Sequence, residues 1–480
     1  MESKKLAGLE PASVFGYFEE ICGIPHGSRN TKEISDYLVR FAKEQGLRYI
    51  QDEADNVILF AEGTCGMENH PPVILQGHMD MVCEKDGDCA IDMATQGLDV
   101  THDGQMVFAK GTTLGADNGI AVALALAVLA DKTIAHPPLE VVITSDEEIG
   151  LLGAAAIDLS MLKGRRLINL DSEGEGVFTV SCAGGATSVI TLPVERRAVY
   201  GPCVRLMVDG LQGGHSGTEI DKNRANANKI MGEFLSRIEK LMPLCLTTLA
   251  GGNKDNAIPR SCQATVVAMG IHLERINTIA QELQEEVRRD YDEPDAVVQA
   301  FDVDALGGNA LSTQSTSRVI GLLSGHPNGI QAMSKDIEGL VQTSLNLGIA
   351  KLGDRFTATS SVRSSVNTER LALQEQLSAL AAMFDGTYSQ SGEYPAWEFK
   401  KDSPLRQVMV RVYTELFGLE PQVIALHAGL ECGLFSEKIP DLDSVSIGPQ
   451  MYDVHTTRER LEIASVERTW RFLLAVLKAL

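Results

Sequence analysis

The stretch Val73-Ile74-Leu75-Gln76-Gly77-His78-Met79-Asp80 reads as a short apolar strand that runs into a histidine and, two residues later, an aspartate. The pattern recurs along the chain. Leu139 to Thr144 is a β-branched run that follows Pro138 and closes on Ser145-Asp146-Glu147-Glu148. Arg166 to Leu170 closes on Asp171. Between the first two runs, Gly115-Ala116-Asp117-Asn118-Gly119 opens a nearly all-apolar helix that reaches Asp131. Short apolar runs bounded by turn residues predict buried strands, and a helix apolar on every side predicts a buried one. Alternating strands and helices predict an α/β fold with helices on both faces of the sheet. In such sheets, sites form beyond the carboxyl ends of the strands, where these acids and histidines fall.

Working outward, Pro11 to Cys22 reads as a first helix, with Phe15 and Phe18 on one face. Lys32 to Gln45 reads as a second, ending at Gly46. After about Gly184 the character changes. Strand-like runs (Ser188-Leu192, Val204-Val208, Ala264-Met269, Ala358-Val362) and helices (Ala225-Leu241, Asn277-Arg289, Thr368-Met383) continue, with no cluster of metal-ligand residues. The first theme then returns with a helix at Pro404-Phe417, strands near Val423-Ala425 and Ser444-Ile447, His455, and a closing helix from Ile463. The reading is a discontinuous catalytic domain, 1–184 plus 393–480, interrupted by an α+β domain, 185–392. Its sheet is expected to be mixed and mostly parallel.

The bulk numbers exclude several functions. A chain of 480 residues supports two or more domains. Its net charge of −23 disfavours nucleic acid and anionic membranes as partners. Ile120 to Ala130, the longest apolar stretch, is too short to span a bilayer. Nine scattered cysteines, behind a start (Met1 to Gly8) without the apolar run of an export signal, predict reduced thiols in the cytoplasm. Cys83 and Cys432 lie near the motifs and read as packing residues.

The chemistry comes from residue types and spacing. On a strand end, His78 and Asp80 face the same side; they are either a ligand with its orienting carboxylate or an ordinary polar pair. Asp117 is either a helix N-cap or a carboxylate able to bridge two metals. Glu147 and Glu148, being adjacent, point different ways. One can bind metal while the other moves a proton, or both belong to a solvated acidic turn. Asp171 reads as another strand-end acid, and His455 as a loop ligand or a structural histidine. Together, two imidazoles and several carboxylates without a thiolate suit a hydrolytic zinc or manganese pair. Three carboxylates on two divalent ions leave roughly one net positive charge to polarise a carbonyl.

These stretches resemble a known family. Gln76-Gly77-His78-Met79-Asp80-Met81-Val82, Thr112 to Gly119, Thr144 to Gly150, Asn169-Leu170-Asp171-Ser172-Glu173 and His427-Ala428-Gly429-Leu430-Glu431-Cys432-Gly433 resemble the aminoacyl-histidine (Xaa-His) dipeptidases. Those belong to the di-zinc superfamily of aminoacylases, carboxypeptidases and tripeptidases. The resemblance implies two divalent ions, zinc or else manganese or cobalt. His78 and Asp171 would hold one, Glu148 and His455 the other, and Asp117 would bridge them. Asp80 would orient His78. Glu147 would be the general base that activates a metal-bridging water and passes its proton to the leaving amine.

The inserted domain would be a lid that forms a homodimer. Its His215, in Gly213-Gly214-His215-Ser216-Gly217, would polarise the scissile carbonyl, in cis or from the neighbouring subunit. Arg363 and Asn256 would bind the substrate's carboxylate end, and Glu431 would lie near its free amine. The implied activity is hydrolysis of Xaa-His and related small peptides. The alternatives are a di-zinc tripeptidase, an N-acyl amino acid deacylase, or a non-catalytic metal-dependent binding protein.

Overall fold

The protein is seen in a computed structural model that describes residues 5–268, 270, 272–303 and 307–480. Met1 to Lys4, and Met269 at the end of an expected strand, lie outside the described residues. The chain forms two compact units. One holds Met1–Ser181, Phe399–Ala425 and Leu430–Leu480; the other holds Cys182–Glu398 and Leu426–Gly429. The four residues Leu426–Gly429 thus pack with the second unit, a detour absent from the reading of 393–480 as one block.

The first unit is built on an eight-stranded sheet. Its order is Arg48–Gln51, Val57–Ala61, Leu139–Thr144, Val73–His78, Arg166–Asn169, Asp443–Ser446, Val177–Cys182 and Gln422–Leu426. The four strands from Leu139–Thr144 to Asp443–Ser446 are parallel, and antiparallel pairs flank them. The expected parallel sheet is therefore confined to the centre. Register aligns the strand ends: His78 pairs with Thr144, Gln76 with Asn169, and Asn169 with Ser446. The residues just past each of these strands therefore leave the sheet at one edge.

The helix Ala116–Ala130 is buried along almost its whole length, as its all-apolar sequence requires. Gly119 brings it against Phe18 and Ile21 of the helix Ala12–Cys22. Each such large side chain contributes about 1.5–3 kcal/mol by its burial. The helix Lys32–Gln45 ends on Gly46 at φ 67, whose N–H bonds the carbonyls of Ala42 and Lys43. Phe178 stacks on Phe472 at 5.3 Å between ring centroids, and Tyr413 meets Phe472 edge-on at 5.2 Å. These rings staple the returning segment onto the first.

The second unit is an antiparallel α+β layer. Its nine-stranded sheet carries the helices Ala227–Glu239, Leu273–Asp290, Thr313–Gly325 and Asn367–Met383. The strand Cys203–Asp209 alternates as a one-sided sheet should: Val204, Leu206 and Val208 are buried, while Arg205 and Asp209 are exposed. The helix Thr313–Gly325, unforeseen in the sequence, is capped by a lysine. Lys229 Nζ donates to the carbonyls of Leu323, Ser324 and His326 at 2.6, 2.9 and 2.6 Å.

Candidate active site

In the first unit, Asp80, Glu147, Glu148 and Asp171 follow the carboxyl ends of the parallel strands, whereas Asp117 and Glu431 stand at helix starts. His78 ends its strand and is 1% exposed. Its main-chain N–H donates to Asn118 Oδ1 at 3.1 Å, and Asn118 Nδ2 donates to the carbonyl of Leu170 at 3.0 Å. One amide thus holds the ends that carry His78 and Asp171. The approach requires Gly77, since a Cβ there would lie 2.5 Å from Asn118 Oδ1 and 2.8 Å from Ala121 Cβ.

His78 Nε2 lies 3.2 Å from Asp117 Oδ1 and 3.5 Å from Asp171 Oδ1. Its Nδ1 is 3.0 Å from the main-chain carbonyl of Asp80 and 3.5 Å from the Asp80 carboxylate. The closer partner is therefore the backbone of Asp80. Its carboxylate accepts instead from Glu147 N at 2.9 Å, Ser28 Oγ at 2.8 Å and, more weakly, Glu148 N at 3.4 Å. Asp80 so ties the His78 strand end to the Glu147-Glu148 turn.

His455 arrives from the far end of the chain. Its Nε2 lies 2.8 Å from Glu148 Oε1 and 3.2 Å from Asp117 Oδ2. Its backbone sits at φ 62, left-handed for a non-glycine residue, a conformation that costs about 1–3 kcal/mol and persists where surroundings over-determine it. Asp117 accordingly touches both imidazoles, one through each oxygen. His78, Asp117 and Glu148 each present a ligand atom, all within 4.8 Å of one another.

The electrostatics fit a cation-binding centre. Burial alone would lower the His78 pKa, but the carboxylates of Asp171, Asp117 and Asp80 win and raise it well above its ordinary value. His455 is pushed up to about 11 by hydrogen bonds with Asp117 and Glu148. Burial raises Glu147 well above the carboxylate range against the pull of His78, with Asp171, Glu431 and Glu148 adding to the rise. Asp171 rises to about 6 and Glu431 to about 7, both chiefly by burial. Imidazole nitrogens and carboxylate oxygens, without a thiolate and with more negative charge than two imidazoles offset, suit divalent zinc, manganese or cobalt.

Glu431 is fully buried. Its Oε2 accepts from Gln76 Nε2 and from Thr144 Oγ1, the latter at 2.7 Å. Cys432 is buried as expected, whereas Cys83 is exposed and so is not the packing residue the sequence suggested. Among the described residues, no helix is long and apolar enough to cross a membrane.

The second unit gathers a cluster of its own. His215 pairs with Ala257, and Ser216 N donates to the carbonyl of Asn256 at 2.9 Å, so this short antiparallel pairing brings both predicted residues together. The main-chain N–H groups of Gly217 and Thr218 donate to His215 Nδ1 at 3.2 and 3.1 Å. That places the imidazole proton on Nε2 and leaves Nε2–H as a donor. Burial and the Arg363 charge lower the His215 pKa, with Glu219 opposing, and so keep the ring neutral.

Arg363 is 9% exposed on the strand Arg355–Ser364, and its Nη1 donates to Tyr394 Oη at 3.0 Å. His427 lies in the same cluster, 2.7 Å from Ser344 Oγ through Nε2. Its pKa falls to about 4, first through burial and then through Arg363. Tyr394 and Ser344 escaped the sequence reading because neither lies in a marked motif, and His427 stands in a quoted stretch that gave it no role of its own.

The chain is similar to known proteins along its whole length. The sequence pattern of Peptidase family M20/M25/M40 matches residues 74–479. Over 479 residues the chain is 36% identical to the cytosol non-specific dipeptidase of Escherichia coli (strain K12), covering 99% of each chain. The crystal structure of an aminoacylhistidine dipeptidase from Vibrio alginolyticus matches with a TM-score of 0.94 at 36% identity, over 100% of this chain and 98% of that one. An aminopeptidase PepT from Bacillus cereus shares the fold at a TM-score of 0.56 and 15% identity, over 98% of this chain and 99% of that one. On the pattern match and the full-length identity, the chain belongs to Peptidase family M20/M25/M40.

Proposed function

We propose that this chain is a metal-dependent dipeptidase that hydrolyses Xaa-His and related dipeptides. The observation that carries the reading is the convergence of His78, Asp117 and Glu148 ligand atoms within 4.8 Å at the sheet edge. In this reading His78 and Asp171 hold one divalent ion, Glu148 and His455 the other, and Asp117 both; zinc is the expected metal. The ions supply Lewis acidity for the scissile carbonyl and for water.

The chain's own groups do the rest. Glu147, whose carboxyl is raised by burial and by neighbouring acids, takes a proton from water and returns it to the leaving amine. Asp80 fixes the turn that carries Glu147 through the bond from Glu147 N. His215 offers Nε2–H to the developing oxyanion. Arg363 and Asn256 receive the peptide's carboxylate. Among the described residues Glu431 Oε1 has no hydrogen-bond partner, and it is an acceptor for the substrate ammonium. The second unit acts as lid and as homodimer contact, and the protein works in the cytoplasm on small peptides.

The test is a panel of dipeptides, tripeptides and N-acyl amino acids, assayed with zinc, manganese or cobalt. Cleavage of dipeptides, Xaa-His among them, is expected. Turnover confined to tripeptides or acyl amino acids, or none with any metal, would overturn the reading.

A further inference from the structure

Glu459 does nothing in the mechanism above, yet it is one of the most heavily bonded carboxylates of the first unit. It is 3% exposed. Four successive main-chain N–H groups point at it. Leu114 and Gly115 donate to Oε2 at 2.8 and 3.1 Å, and Ala116 and Asp117 donate to Oε1 at 2.8 and 3.3 Å. Consecutive N–H groups curled around one anion form a nest, and a carboxylate strengthens each of those bonds.

The curl depends on Gly115, which lies at φ 66; a Cβ there would also sit 2.7 Å from Met81 Sδ. The last donor of the nest is Asp117 itself, whose side chain touches both His78 and His455. The loop that supplies Glu459 is also the loop that supplies His455. Glu459 N donates to the carbonyl of Thr456 at 3.1 Å, and the next strand, Arg460–Glu462, pairs with Met106–Ala109. Asp117 and His455 come from opposite ends of the sequence, and the Glu459 carboxylate is a direct bond between their two loops.

We infer that Glu459 is a positioning residue that locks the Leu114–Asp117 nest to the His455 loop and so sets the geometry in which Asp117 and His455 take metal. The inference rests on the proposed metal reading of those two residues. The alternative is a purely structural bond whose loss lowers stability and leaves metal binding alone.

Glu459→Gln separates the two. Glutamine keeps the size, but its NH₂ turns a donor toward N–H groups that need an acceptor. Metal content and affinity are measured by chelator competition with elemental analysis, and ligand geometry by the visible spectrum of the cobalt-loaded protein. The melting temperature of the chelator-stripped protein is recorded alongside. Loss of an outer carboxylate of this kind typically costs about 10–100-fold in metal affinity. We expect that loss for at least one ion, with a changed cobalt spectrum, even where the stripped protein stays folded. Wild-type affinity and spectrum in Glu459→Gln, with only the melting temperature lowered, would overturn the inference while sparing the metal reading. Should Glu459→Gln fail to fold, Glu459→Asp is read by the same two outcomes, since it keeps the charge one methylene short of the nest. A wild-type chain that bound no divalent ion would sink the metal reading, and this inference with it.

Discussion

The edge of the first unit's sheet gathers Asp80, Asp117, Glu147, Glu148, Asp171 and Glu431 around two imidazoles, whereas the second unit gathers Arg363 with His215, His427 and Tyr394. The first cluster is an excess of buried negative charge, and burial pushes its Glu147, Asp171 and Glu431 carboxyls upward. The second holds a guanidinium and two histidines kept neutral by burial, so it offers donors. One is chemistry for a cation, and the other is chemistry for an anion or a developing oxyanion.

Asp117 is where the comparison breaks most completely. Asp117→Ala is expected to hold less than one ion per chain and to lose turnover with it, whereas His78→Ala or His455→Ala loses mainly one ion. Elemental analysis decides, and two tightly held ions in Asp117→Ala would deny that residue a part in holding both.

Glu147→Gln should separate metal from chemistry. We expect both ions retained and turnover lowered by about 10²–10⁴-fold, the usual worth of general acid–base catalysis. A protein with near-normal rates would remove Glu147 from the role of base.

Arg363 tests the anion-seeking side. A hydrogen bond to a charged group contributes about 1.5–3 kcal/mol, so Arg363→Ala should lower kcat/KM by about 10–150-fold, mostly through KM. A dipeptide amide, which lacks the carboxylate, should lose much less. Equal losses on both substrates would deny that Arg363 reads the carboxylate.

Mixing His215→Ala with Glu147→Gln sharpens the comparison further. Each is expected to be inactive alone, and a mixed dimer contains one site with both residues intact if His215 acts across subunits. Partial recovery is expected in that case. No recovery after confirmed subunit exchange would place His215 within its own chain or outside the reaction.

The smallest effect concerns pH and the second unit alone. His326 is 2% exposed and bonded through Nδ1 to the Pro327 carbonyl and through Nε2 to Ser360 Oγ. Burial, helped by the Lys229 charge, lowers its pKa to about 4, below the 6.5 of an unfolded histidine. Between those values the unfolded chain binds the extra proton, so stability falls as the pH drops from about 6.5 to 4, by at most about 3 kcal/mol from this group. Melting curves across that window should fall less steeply for His326→Gln. Parallel curves would mean that His326 titrates no differently on folding.

Much of the fold was legible because its signals are local. Lys32–Gln45, Leu139–Thr144 and Pro404–Phe417 have the boundaries their apolar spacing predicts. The helix Thr313–Gly325 was not legible. Its core face of Val319, Ile320, Leu322 and Leu323 lies in a polar, Ser/Thr-rich stretch, and its carboxyl end is satisfied by a lysine far back in the chain. Which pairs of the expected mixed sheet run antiparallel was not legible for a similar reason. A short buried strand looks the same whichever way its neighbour runs.

By itself, the sequence determined which residue types stand at strand ends, how the apolar periods run, and that two imidazoles and several carboxylates, without a thiolate, fall among them. Those facts live in neighbouring residues and need no partner from afar. Only the tertiary structure decided that Asp117 touches both imidazoles, that the Asp80 backbone is nearer than its carboxylate to His78 Nδ1, that His215 keeps its proton on Nε2, and that Glu459 closes the Asp117 nest. Each of these depends on side chain and backbone meeting within hydrogen-bond reach, several of them across hundreds of residues. Such a meeting is set by register, burial and the direction of a single N–H, and no spacing along the chain records it.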